Sequence, residues 1–113
     1  MTTLFGIKNC DTVKKARKWL TEHKIEHEFV DLRESPIAAV TLEHWLSEVG
    51  KDKLLNTRST TWRNLPEDDK GDLTLPRTVH LLQAHPTLIK RPVLVHNNSI
   101  HVGFKDAEYQ EIF

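Results

Sequence analysis

Cysteine is nearly absent from this chain: Cys10 is the only one in 113 residues. A single thiol cannot close an internal disulfide, which excludes the disulfide-stapled folds of small secreted domains and zinc sites built on several thiolates. Long hydrophobic runs are missing too. None approaches the roughly 20 apolar residues that a membrane-spanning helix needs. The amino terminus MTTLFGIKN lacks the basic stretch and long apolar segment of a secretory leader. Excess charge of either sign is also lacking, because Lys+Arg and Asp+Glu each number 16 and the isoelectric point is about 7.1. Such a balance leaves no electrostatic footprint for nucleic acid or an anionic membrane. These absences predict a soluble protein of a reducing compartment, the cytoplasm, with neither a nucleic-acid nor a membrane partner. At this length one domain, 1–113, with a real core is expected.

What is present begins at the cysteine. Leu4-Phe5-Gly6-Ile7 is an apolar, strand-like run, and from Asn9-Cys10-Asp11-Thr12 the spacing becomes helical through Val13, Ala16 and Leu20. A strand over 2–7 and a helix over about 10–23 follow, with Cys10 at the junction. A thiol there faces the unpaired N–H groups of the helix's first turn, which with the macrodipole favour a negative charge and hence the nucleophilic thiolate. Lys8 precedes it and Lys14, Lys15, Arg17 and Lys18 follow; Asp11 opposes them. The competing reading is a small buried hydrophobe without chemistry. Position and basic surroundings favour a reactive thiol.

Glu26 to Leu32 alternates polar and apolar residues, predicting a second strand with His27, Phe29 and Asp31 on one face. Strand, helix, strand implies a right-handed crossover between parallel strands. The middle reads as helices. Thr41 is the expected cap of a segment through Val49, stopped by Gly50. A short piece follows at 51–55, and another begins at Ser59 or Thr60. The 66–71 stretch reads as a charged turn, and Thr74 as the cap of a helix reaching Ala84. Strand character returns at 92–96, with 97–99 as a turn, 100–102 as the returning strand and 106–113 as a terminal helix. Seven histidines invite a metal reading. With no second cysteine and no H-E-x-x-H pattern, no metal site is expected.

The order β-α-β, helical block, β-β-α, with a cysteine at the first helix and X-Pro before the third strand, resembles the thioredoxin fold. A helical subdomain inserted between the halves, over 35–90, is the arrangement of the arsenate reductase family. The segments FGIKNCDTVKKARKWL, LLNTRSTTWRNL, HPTLIKRPVLV and HVGFKDAEY resemble its YffB-like branch, which is related to the Spx-type regulators. The expected fold class is therefore α/β, a thioredoxin-like βαβ…ββα core with an inserted helical subdomain. The resemblance implies Cys10 as catalytic nucleophile, Pro92 as the fold's cis-proline, and Arg91 and Arg58 as oxyanion-holding arginines. Two departures count against arsenate as substrate. Phe104 stands where those reductases carry a third active-site arginine, and Gly6 stands where they carry a histidine. Val13 occupies the position of the second cysteine of Spx-type regulators, which rules out an internal disulfide switch.

A single thiol can still run a redox cycle when a second thiol comes from solution. The resemblance thus implies a glutathione-dependent thiol reductase, with no bound cofactor and glutathione as thiol co-substrate. Its partners would be glutathione, glutaredoxin and a small oxyanion or thiol substrate. Arg91 and Arg58 suit a carboxylate or oxyanion because guanidinium offers planar paired donors and stays charged. Pro92, Thr12, Asn9 and Lys8 are the candidate glutathione-binding residues, Thr12 through a hydroxyl hydrogen bond to the sulfur. The same resemblance leaves a second function open, a non-catalytic interaction module like the Spx-type regulators that engage RNA polymerase.

Overall fold

The computed structural model describes residues 2–71 and 73–113. In chain order the elements are β1 (Thr2–Gly6), α1 (Asp11–Glu22), β2 (Glu28–Asp31), α2 (Ala39–Val49), α3 (Lys51–Leu54), α4 (Thr60–Arg63), α5 (Glu67–Lys70), α6 (Leu75–Ala84), β3 (Val93–His96), β4 (Ser99–Val102) and α7 (Asp106–Ile112). They divide into two compact units. One comprises the described residues up to Ser35 together with Arg91–Phe113, and the other is Pro36–Lys90.

The first unit carries a four-stranded sheet of order β2-β1-β3-β4, parallel between β1 and β2 and antiparallel elsewhere. β1 is therefore internal, and whatever follows its last residue emerges at mid-sheet. Leu4 and Leu94, opposed across β1 and β3, join Ala16, Trp19 and Leu20 of α1 and Tyr109 of α7 in one buried cluster. Trp19 meets Tyr109 edge to face at 5.4 Å, a geometry that adds about 0.5–1.5 kcal/mol beyond area burial. The 97–98 turn has φ of 48° at Asn97 and 70° at Asn98, the pair of positive values of a type I′ hairpin. Ser99 is thus already in β4, one residue earlier than the alternation suggests.

The last residue of β1 and the first turn of α1 approach unusually closely. A Cβ on Gly6 would lie 2.7 and 2.8 Å from the two methyls of Val13, whose side chain is fully buried. Only glycine lets the helix sit this near the strand. At its other end α1 closes with Lys24 at φ 56° and bonds from Lys24 N–H to Thr21 O and from Ile25 N–H to Leu20 O. That is a Schellman motif with lysine at the position glycine prefers.

In the second unit α2 packs on α6, burying Leu42, Trp45 and Leu46 from one and Val79, Leu81 and Leu82 from the other. A bridge between Leu55 and Ile89 and a bond from Lys90 N–H to Leu54 O tie its later half together. Two elements of this unit differ from the sequence reading. α2 starts at Ala39 with Ala38 at the cap, because two alanines extend the helix N-terminally and Thr41 falls inside the first turn. The expected turn at 66–71 contains a short helix, α5, whose first turn holds Glu67, Asp68 and Asp69, acids that complement the amide dipoles there. Trp62 is only partly buried, with the Lys70 ammonium 5.7 Å above its ring.

Two stability changes follow. Lys24→Gly should raise the free energy of unfolding by about 0.5–1 kcal/mol, since a β-carbon is unfavourable in the left-handed region. Gly6→Ala should lower it by about 1–3 kcal/mol through overpacking. Val13→Ala introduced alongside it should restore part of the loss, giving a coupling term in a double-mutant denaturation cycle.

Candidate functional site

Cys10 is the N-cap residue of α1, with φ −83° and ψ 124° and no side-chain cap bond of its own. Its N–H donates to Ile7 O at 3.0 Å and its carbonyl accepts from Lys14 N–H at 3.0 Å. The chain therefore passes from strand to helix in one tight turn. An N-cap serine or aspartate would place its oxygen against the N–H groups of the first turn. Cysteine at this cap makes no side-chain bond to those groups, so the N–H groups of the first turn stay open beside the thiol. The residue is partly buried, so the sulfur is not sealed in the core.

Strand register sets the surroundings. Gly6 pairs with Asp31 in β2, and Phe5 pairs with Val93 in β3, so the next step of the antiparallel register brings Gly6 opposite Pro92. Gly103 N–H donates to Pro92 O at 2.8 Å, which adds the end of β4. Asp31, Gly6, Pro92 and Gly103 thus form one row across the sheet end from which the Cys10 turn emerges. The Arg91–Pro92 peptide bond is cis; Pro92 is buried and Arg91 partly buried. Phe104 is turned into the core, edge-on to the Tyr109 ring at 4.7 Å. Phe104 thus packs against the buried cluster as a partly buried aromatic.

Asp31 is the buried carboxylate of this row, 8% exposed. Its Oδ1 accepts from the N–H groups of Arg33 at 2.8 Å and Glu34 at 3.3 Å, and its Oδ2 from Lys8 N–H at 3.2 Å. Burial pushes its pKa up, but those donors and the Lys8 charge outweigh it and hold the carboxyl below its usual range. The Lys8 ammonium itself pairs with Glu34 Oε1 at 3.1 Å. The sequence reading noted Asp31 only as a strand-face residue. The available signal was an aspartate closing an apolar strand immediately before a turn, a place where a carboxylate satisfies loose backbone donors.

Of the residues singled out from sequence, Lys8, Asn9, Cys10 and Thr12 share the turn and the first helical residues, with Asn9 and Thr12 exposed. Arg91 and Pro92 join them through the register. Arg58 belongs to the second unit, exposed in the turn before α4, where its N–H donates to Asn56 Oδ1 at 3.2 Å.

The lowered pKa of Asp31 fixes the sign of a pH effect. The unfolded carboxyl protonates first on acidification, so the stabilisation is complete above the unfolded value of about 3.9 and is lost as pH falls through the lower folded value. Urea denaturation of wild type and Asp31→Asn should show the largest gap at about pH 5–7, narrowing below about pH 4.

Comparisons with known proteins agree with this arrangement. The ArsC family pattern matches residues 5–112. An uncharacterised protein of Haemophilus influenzae is 46% identical over 113 residues, covering 100% of this chain and 99% of its own. The global transcriptional regulator Spx of Streptococcus pneumoniae is 31% identical over 110 residues, 96% of this chain and 82% of that protein. A solved YffB protein superimposes with a TM-score of 0.94 at 42% identity, covering 98% of this chain and 97% of that one. A glutaredoxin from Archaeoglobus fulgidus, 12% identical with a TM-score of 0.53 over 97% of this chain and 82% of its own, shares the fold alone. With a cysteine at the first helix cap, a cis-proline in the row that ends β1 and a match over residues 5–112, the chain belongs to the ArsC family and has a thioredoxin-like fold.

Proposed function

We propose that the protein is a glutathione-dependent thiol oxidoreductase with Cys10 as its single nucleophile. The observation that carries this reading is a partly exposed cysteine at the cap of α1 whose neighbour at the second-thiol position, Val13, is aliphatic and fully buried. No other cysteine exists in the sequence, so the resolving thiol comes from solution. In the cycle, the Cys10 thiolate attacks the glutathionyl sulfur of a mixed disulfide. The Cys10–glutathione bond forms and the substrate leaves as a thiolate that takes up a proton. A second glutathione thiolate then attacks the glutathionyl sulfur, releasing the Cys10 thiolate and glutathione disulfide. Each turn thus consumes one free glutathione, the other half of the glutathione disulfide being the glutathionyl group of the substrate, and no bound cofactor is required.

Arg91 and Arg58 are the proposed partners for a carboxylate or oxyanion, and the cis-Pro92 backbone, Thr12, Asn9 and Lys8 the proposed glutathione contacts. Lys8 is compatible with that role because its ion pair with Glu34 is over half exposed on both sides, and such pairs are worth only about 0–1 kcal/mol. The core placement of Phe104 favours a small thiol substrate over arsenate. Glutaredoxin is a proposed further partner and the cytoplasm the proposed compartment.

A second reading, a regulatory interaction module, is supported by 31% identity to Spx across 96% of the chain. Val40, 71% exposed, and Leu75, 50% exposed, are apolar positions where such a surface is testable. On the enzymatic reading, glutathione disulfide should add one glutathionyl group to Cys10 by mass spectrometry. Cys10→Ser should then reduce turnover of a mixed-disulfide substrate to the uncatalysed rate. Should Cys10→Ser retain turnover, the enzymatic reading fails. If it also retains every cellular phenotype while Val40→Asp or Leu75→Asp abolishes one, the interaction module is supported.

A further inference from the structure

A nucleophile at a strand-to-helix turn is only as well placed as the turn. Between Gly6, held in the sheet, and Asp11, the first residue of α1, the backbone is fastened from within by the bond from Cys10 N–H to Ile7 O. The fastening from outside comes from β2. Leu32 N–H donates to Gly6 O at 2.8 Å, and one step further along the turn Lys8 N–H donates to Asp31 Oδ2 at 3.2 Å. The same carboxylate is held by its other oxygen to Arg33 and Glu34 N–H, themselves in a turn closed by Glu34 and Ser35 N–H on Asp31 O. Asp31 thus joins two turns, its own and that of Cys10, through a buried side chain with both oxygens occupied.

We propose that Asp31 is the positioning residue of the Cys10 thiol. Its carboxylate latches the Lys8 amide, fixing the turn that carries the sulfur at the N-cap of α1. The inference rests on reading Cys10 as the nucleophile and adds a residue that touches neither substrate nor sulfur. Its counter-intuitive feature is the sign of the charge. An anion near a thiolate by itself disfavours ionisation, so a latch that raises reactivity does so through geometry, against its own field.

Asp31→Asn separates these effects. The amide keeps one acceptor oxygen, which the Arg33 and Glu34 donors engage, and turns an NH2 group toward Lys8 N–H. Of the three hydrogen bonds only the latch is broken, while the charge is removed, and the two losses move the rate in opposite directions. The measurement is the rate of Cys10 alkylation by iodoacetamide in the folded protein across pH, with thermal unfolding as a check on folding. The expected result is a rate at neutral pH lower by roughly two- to tenfold, the range a single hydrogen bond spans, and a profile displaced to higher pH. A faster rate would mean that only the charge of Asp31 matters. An unchanged profile with lowered stability would mean a purely structural role; either overturns the proposal. If wild-type Cys10 reacts no faster at neutral pH than in the unfolded chain, the nucleophile reading fails, and the ratio of variant to wild type still reads the latch. Wild-type protein gives an independent measurement should the variant not fold. The Lys8, Arg33 and Glu34 amide resonances should titrate together as Asp31 protonates on acidification, and a Lys8 amide that does not follow would refute the latch.

Discussion

The approach of Val13 to the backbone of Gly6 is the contact on which the rest of the first unit depends. Because a β-carbon at Gly6 would fall 2.7–2.8 Å from the Val13 methyls, the first turn of α1 lies against the end of β1 with only the Val13 side chain between them. That closeness shortens the connection to a turn in which Cys10 is at once the acceptor for Lys14 N–H and the donor to Ile7 O. It also sets the height of α1 over the sheet, so that Ala16, Trp19 and Leu20 meet Leu4 and Leu94 in one cluster. A bulkier residue at position 6 would lift the helix, loosening the core and displacing the cap together. Placement of the thiol and stability of the fold are one constraint.

The electrostatics of the turn are less one-sided than a count of lysines suggests. Arg17 lies over the Phe29 ring at 4.2 Å, Lys18 pairs with Glu22 at 3.7 Å and Lys8 pairs with Glu34. Of the basic residues flanking Cys10, Lys14 and Lys15 remain with no partner drawn from the described residues, and both are exposed. Exposed charges act through water and are screened over about 8–10 Å at ordinary salt. The N–H groups of a helix's first turn are fixed in direction and within bonding reach of an N-cap side chain. Fixed backbone donors therefore act more strongly on an anion at an N-cap than exposed lysines do. That ordering also explains why a buried carboxylate can lie in the same row: its oxygens are saturated by three N–H groups, so its charge is spread into the backbone.

Much of the fold is legible in the sequence because period carries it. An apolar run marks β1, alternation marks β2, 3.6-residue spacing marks α1, and the X-Pro step at Arg91-Pro92 stands where the cis bond is found. The cysteine is legible because it falls where the period switches from two to 3.6. What escaped is local backbone chemistry with no periodic signature. Lys24 takes a left-handed conformation with no glycine to announce it, since the helix-closing bonds and the Ile25 contact hold it there. Four-residue helices such as α5 are shorter than any window that detects a period. Asp31 escaped for a different reason: its partners are main-chain N–H groups, which every sequence has, and only pairing of β2 with β1 brings the Lys8 amide within reach.

Val13 carries the last step. Its side chain fills the space Gly6 leaves, so the position three residues after Cys10 serves packing and limits this turn to a single thiol. Packing alone does not force that limit. Cysteine behaves as a small hydrophobe and is little different in bulk from valine, so a second thiol could be accommodated there with a modest loss of contact. What distinguishes this chain is therefore a difference of reactivity on an otherwise compatible scaffold. On the proposed cycle, the Cys10–glutathione adduct persists until an external thiol breaks it. The lifetime of that adduct is set by access to the turn between β1 and α1, which is why the hydrogen bonds that hold the turn matter as much as the sulfur itself.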